Sequence, residues 1–174
     1  MRSHHFILTT LAIIFGLGTF ASAQSTYVYT ANTLAGGGIS MYKLNTTTGA
    51  LVPIGPQFQA DTPAYLAASA GGKFLIASGG ECPPCGLEVF SINPATGALT
   101  FVNSSEQLGA VTFLVGQLAN DATGNTIYAQ STEQGSSFAA VLDALHVNAD
   151  GSLTQVGTPF SFGTIGRRHR AAGR

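Results

Sequence analysis

The 174-residue chain has no tryptophan, only two cysteines, and few charges: Asp, Glu, Lys and Arg together make up 9% of it. Scarce Glu, Lys and Arg argue against surface helices, whose solvent faces are built from those residues. A soluble surface must then come from Ser, Thr, Asn and Gln, a composition that suits strands and turns. No stretch after Gln24 repeats its apolar residues at helical spacing. Arginine is missing between Arg2 and Arg167, and Lys43 and Lys73 are the only lysines. From Gln24 to Gly166 two cationic residues stand against eight acidic ones, a formal charge of −6. Such a body offers no basic face for phosphates, so nucleic acid is not an expected partner.

Long apolar runs are also lacking, with one exception, Phe6 to Phe20. It follows a short polar start (Arg2, His4, His5) and ends at the small residues Ala21-Ser22-Ala23. Residues 1–23 therefore read as a secretory signal peptide, cut before Gln24. The rival reading is an uncleaved anchor, but a run of about 15 residues is short of the roughly 20 that a bilayer needs. Export to the periplasm or beyond is expected, with no membrane span after cleavage.

What the rest contains is hairpins. Leu87 to Thr100 is a strand, a tight turn closed by Gly97, and the start of a second strand. Ile39 to Val52 repeats it around Gly49, and Leu142 to Thr154 repeats it around Asn148-Ala-Asp-Gly151. A loop of a few residues ending in glycine suits a hairpin whose last loop residue is left-handed. Around these units lie further strands: Tyr27–Ala31, the small apolar Pro63–Ser69, Lys73–Ser78, Val111–Leu118 and Thr126–Ser131. Pro63–Ser69 is apolar on both faces, which predicts burial on both sides.

The closing glycines are 48 and 54 residues apart, and Ala31, Ala77 and Ala129 recur at steps of 46 and 52. A period near 50 residues with four strands per period predicts an all-β fold, a β-propeller with one blade per period. An immunoglobulin-like sandwich would not repeat its sequence at this interval.

Tyr27-Val-Tyr-Thr-Ala-Asn32, Ile39-Ser-Met-Tyr-Lys-Leu-Asn45, Thr48-Gly-Ala-Leu51, and Pro63 with Gly72-Lys-Phe-Leu-Ile76 resemble the blades of the seven-bladed β-propeller lactonase family. This family is similar to bacterial 6-phosphogluconolactonase and to the Tyr-Val-Thr-Asn repeats. The resemblance covers Tyr27 to Phe160 and is carried by blade motifs, which are structural. WD40 and kelch propellers fit less well, because both usually carry tryptophan. The resemblance implies hydrolysis of a sugar lactone or related cyclic ester by the parent protein, with a non-catalytic secreted binding or cell-surface module as the alternative. Export counts against a phosphorylated sugar lactone, a substrate of cytoplasmic metabolism.

On this resemblance the chain is a part of a ring, since seven blades at this period need roughly 300 residues or more. Residues 24–166 hold two full blades and three strands of another, whose innermost strand is missing. After Phe160 the small apolar strand should recur near Ile165, but the basic stretch 167–174 stands there instead. A partial gene or a frameshift is the expected cause, the other readings being a native basic tail or an Arg-His element of a family site. A fragment of this kind is expected to be inactive, and its uncovered blade faces to invite association.

Chemistry-bearing residues are sparse. Cys82-Pro-Pro-Cys85 is not followed by the helix that activates a redox pair. Zinc would need two further ligands, and His146 is the only other soft one in the body. The expected reading beside these is a small disulfide between Cys82 and Cys85, pinning the loop between two strands in an exported protein. His146 shares a strand face with Leu142 and Ala144, opposite Asp143, Leu145 and Val147, and is expected at solvent or against a neighbouring blade. Asp61, Glu81, Glu88, Glu106, Asp121, Glu133, Asp143 and Asp150 are scattered and expected mostly to be solvated. Calcium at 121–125 or 148–150 is a further reading, but Asp, Asn and Gly there already serve as turn formers. No motif calls for a cofactor or a metal, and no catalytic position is assigned. The expected ligand is a small lactone or carbohydrate.

Overall fold

The structure is a computed structural model that describes residues 25–33, 37–60, 63–79, 86–105, 118–133 and 139–164. The proposed signal peptide, the Cys82/Cys85 pair and the 167–174 tail lie outside the described residues.

Three antiparallel sheets follow one another along the chain. The first is made of β1 (Thr26–Ala31), β2 (Gly38–Leu44), β3 (Leu51–Pro53) and β4 (Phe58–Gln59). β3 and β4 both pair with β2 and share one outer position, so β1 has a neighbour on one side only. The second is an unbroken meander of β5 (Tyr65–Ala68), β6 (Phe74–Gly79), β7 (Gly86–Ile92) and β8 (Leu99–Ser105). The third runs β9 (Leu118–Asn120), β10 (Thr126–Glu133), β11 (Ala139–Val147), with β12 (Leu153–Gln155) and β13 (Phe160–Thr164) sharing the outer place.

The hairpins form where the sequence places them, and the reason is local. In the first, Asn45 Oδ1 accepts from the N–H groups of Thr47 (3.0 Å) and Thr48 (3.1 Å). In the second, Asn93 Oδ1 accepts from Ala95 (2.9 Å) and Thr96 (3.2 Å). Each turn then closes on a left-handed glycine, Gly49 (φ 76°), Gly97 (φ 73°) or Gly151 (φ 87°). That conformation costs an L-residue roughly 1–2 kcal/mol.

The sheets stack like wedges, the second between the other two. Its Leu75, Ala77, Phe90 and Leu99 pack against Ile39 and Met41 of the first. Its Phe74, Ile76, Leu87 and Val89 pack against Ile127, Ala129, Leu145 and Val147 of the third. Phe90 is 1% exposed and meets Phe58 edge-to-face at 5.2 Å. Innermost strands β5 and β9 run side by side, with β1 beside β5. This is an arc of propeller blades, and both faces of its middle sheet are covered.

One expectation shifts. The strand buried on both faces is β6, where Phe74 to Ser78 are all buried, whereas Tyr65 in β5 is 43% exposed. β5 is innermost and has one paired edge, so its side chains are only partly covered. Of the strand expected at Val111–Leu118, residues 111–117 lie outside the described residues, and Leu118 opens the innermost strand of the third sheet, Leu118–Asn120.

Candidate functional site

A four-stranded meander puts its first and third connections at one end and its second at the other. The turns at 70–72, 93–98, 121–125 and 148–151 therefore share one end of the arc, and hydrogen bonds between neighbouring sheets tie that end together. Tyr27 and Tyr29 of the first sheet donate to the carbonyls of Ala95 (2.7 Å) and Gly97 (2.8 Å). One blade further on, Lys73 Nζ donates to the carbonyl of Ala149, and Asn103 Nδ2 to that of Gly151 (3.4 Å). The same two carbonyls of each turn are thus held by the preceding blade. Ala70 N–H also donates to Gly124 O at 2.7 Å, and Asn120 Nδ2 to Ala68 O, tying the inner strands together.

Each seam keeps a cleft at this end. The one between the first and second sheets, about 190 Å³, is lined by Tyr27, Tyr29, Gly71, Gly72, Ile92 and Pro94. Its equivalent in the next seam, about 230 Å³, is lined among others by Lys73, Phe74 and Asn125. Burial pushes the Tyr29 hydroxyl above its usual range, with Tyr27 beside it adding to the effect. It therefore stays neutral and serves as a donor, not as a base. Lys73 is spent on the Ala149 carbonyl, its Nζ lying 4.9 Å from the centre of the Phe74 ring. These clefts are products of blade packing.

His146 is exposed on the outer side of the third sheet, with Leu142 and Ala144 half-buried beside it, as alternation predicts. Among the described residues no three of His, Cys, Asp and Glu converge, around His146 or elsewhere. Asp121 and Asp150 are turn formers. Asp121 accepts from the Thr123 hydroxyl (2.7 Å) and Thr126 N–H (3.1 Å), which hold its carboxyl below the usual range. Asp150 accepts from the N–H (2.9 Å) and hydroxyl (2.7 Å) of Ser152, with the same effect. Asp61, Glu81 and Glu106 lie outside the described residues, and Glu133 closes β10.

Asp143 corrects the expectation of solvated acids. It is fully buried on the face of β11 turned to the second sheet, and accepts from Gln155 Nε2 at 3.2 Å. Ser78, also fully buried, shares by the alternation of β6 the face that Phe74 and Ile76 turn to the third sheet. Its sequence signal was its phase, two residues before Leu145 and four before Val147. Glu88, half-buried, holds the matching place in the second sheet, five residues before Asn93 as Asp143 is five before Asn148.

The family model for the lactonase, seven-bladed β-propeller, matches residues 25–156. The chain belongs to this lactonase family. Among solved structures, it is similar to two candidate 6-phosphogluconolactonases. The one from Bacteroides uniformis is 21% identical, with a TM-score of 0.59 over 80% of this chain and 38% of that one. The one from Bacteroides fragilis is 19% identical, with a TM-score of 0.60 over 88% and 41%. A protein from Lactobacillus plantarum is 21% identical, with a TM-score of 0.56 over 77% and 36%. At these identities the likeness is one of fold. No curated protein matches. The chain spans about two fifths of the length of these relatives, and its three sheets stand beside the seven blades of the family description.

Proposed function

We propose that this lactonase-family chain supplies three blades of a ring whose channel takes a small lactone, a sugar lactone or related cyclic ester, for hydrolysis by the complete protein. The observation that carries the reading is the family match across all three sheets. In lactone opening, water adds to the carbonyl carbon, the ring C–O bond breaks, and a hydroxy acid leaves. The reaction needs a base for the water and donors for the developing oxyanion. In this reading β5 and β9 form channel wall, and the base and donors come from elsewhere in the complete protein, because His146 stands on β11, two strands out from the innermost β9, and Asp121 and Asp150 are committed to turns. The chain alone is then inactive.

The same reading makes residues 1–23 a cleaved signal peptide, 24–166 the exported propeller part and 167–174 a separate basic tail, with Cys82 and Cys85 joined as a disulfide. Assaying a lactone panel with the complete polypeptide and with this chain tests it. Turnover by the first alone supports the proposal. Lactone or saccharide binding without turnover by the complete protein would replace it with the binding-module reading. Thiol titration of exported, denatured protein tests the disulfide: two titratable thiols without reductant would remove it.

A further inference from the structure

The turns that close the three hairpins differ at one chemically telling position, the residue before the glycine. In the first two it is threonine, and the hydroxyls of Thr48 and Thr96 accept from the N–H groups of Ala50 and Ala98, both at 3.3 Å. In the third it is Asp150, whose Oδ1 accepts from Ser152 N–H at 2.9 Å in the same way. The turn therefore forms with threonine, and aspartate adds a carboxyl carbon beside the Gly151 nitrogen. Asp150-Gly151 is the one Asp-Gly pair in the sequence, which has no Asn-Gly.

That pair is open to isomerisation. The Gly151 nitrogen attacks Cγ of Asp150, the carboxyl OH leaves with the amide hydrogen as water, and a cyclic imide results. Water then opens the imide. Opening at the α-carbonyl leaves the chain running through the side chain, as isoaspartate, with no atom gained or lost overall. Glycine favours the attack because no Cβ shields its nitrogen. Asp150 is exposed, so water reaches it.

In the folded turn both reacting groups are held. Gly151 N–H donates to Asn148 O at 3.0 Å, and the Asp150 carboxylate is turned towards the N–H and hydroxyl of Ser152. The second sheet holds the turn in place from outside: Lys73 donates to Ala149 O and Asn103 to Gly151 O. Phe74 and Val102 pack so closely on Gly151 that a Cβ there would lie 2.8 and 3.0 Å from them. Ring closure thus needs the turn to open. Isoaspartate in turn inserts one backbone carbon between the two carbonyls that Lys73 and Asn103 hold.

We propose that Asp150–Gly151 is a site of isoaspartate formation gated by the seam between the second and third sheets. The reaction is slow while Lys73 and Asn103 hold the turn, and its product keeps that seam from closing again.

Incubating the chain at neutral pH, below its melting temperature, tests this. Peptide mapping that separates aspartate from isoaspartate reads the product, with methylation by an isoaspartyl methyltransferase as a second readout. Isoaspartate at position 150 should form about tenfold faster or more in urea than in buffer, because reaction goes through the open turn. In buffer, Lys73→Met should speed it about tenfold and Asn103→Ala a few-fold, as each loses one hydrogen bond that closes the turn. Asn103→Ala leaves the charge around Asp150 unchanged, so its acceleration cannot come from a lost ammonium group. Asp150→Thr, with the residue of the other two turns, should keep its melting temperature on ageing while the parent loses it in step with isoaspartate content. Equal rates in buffer and urea, no isoaspartate at position 150 in either, or no acceleration in both seam variants would overturn the proposal. So would equal losses of melting temperature in the parent and Asp150→Thr.

Discussion

Gly97 and Gly49 occupy the same place in two copies of one turn, and replacing each with alanine separates backbone strain from blade packing. Both have positive φ, 73° and 76°, so both substitutions carry a left-handed penalty of about 1–2 kcal/mol. At Gly49 that is the whole cost, because nothing lies within 4 Å of the new methyl. At Gly97 the methyl would fall 2.5 Å from Tyr27 Cδ1 and 2.8 Å from Ile54 Cδ1. The ring cannot move away without giving up its 2.7 Å hydrogen bond to Ala95 O. Overpacking of this kind adds about 1–3 kcal/mol, so Gly97→Ala should lose about 2–5 kcal/mol against about 1–2 for Gly49→Ala. Urea unfolding of both variants and the parent reads the difference from the midpoints. Equal losses, or a larger loss at Gly49, would refute the claim that the first two sheets meet at this turn.

Other perturbations address other parts of the fold. Phe90→Ala removes the ring that fills the seam against Phe58 and should cost about 3–5 kcal/mol in the same unfolding assay. Asp143→Ala takes a fully buried acceptor from Gln155 and should cost about 1–3 kcal/mol, with Asp143→Asn recovering part of it. His146→Ala, on an exposed site, should stay within about 0.5 kcal/mol of the parent. Asp121 and Asp150 have lowered folded-state pKa values, so their contribution is present above the unfolded carboxylate value of about 3.9 and is lost as pH falls through the lower folded value. Melting temperature should therefore drop on acidification in that window, and less steeply in Asp121→Asn; identical acid profiles would contradict the turn assignment.

The hairpins were legible because their chemistry is local: Asn45, Asn93 and Asn148 start the turns and the glycines end them. Three recurrences gave the blade and, through it, the family. Register was less legible. Aligning Ala31 with Ala77 is off by one, since pairing makes Ala31 equivalent to Ser78 and Ala77 to Thr30. β6 is apolar on both faces, so it lacks the alternation that fixes phase. Burial of Asp143 was hidden by its charge and betrayed only by its phase with Leu145 and Val147. Catalytic positions could not be read at all, because blade motifs encode packing between sheets and not the groups that line a channel.

The central claim is that the middle sheet is a blade with a neighbour on each face. Nuclear Overhauser contacts from labelled methyl and aromatic groups measure it directly. The expected result is one set joining Phe90 and Leu75 to Ile39, Met41 and Phe58, and a second joining Ile76 and Val89 to Ile127 and Leu145. A middle sheet with contacts on one face only would contradict the propeller.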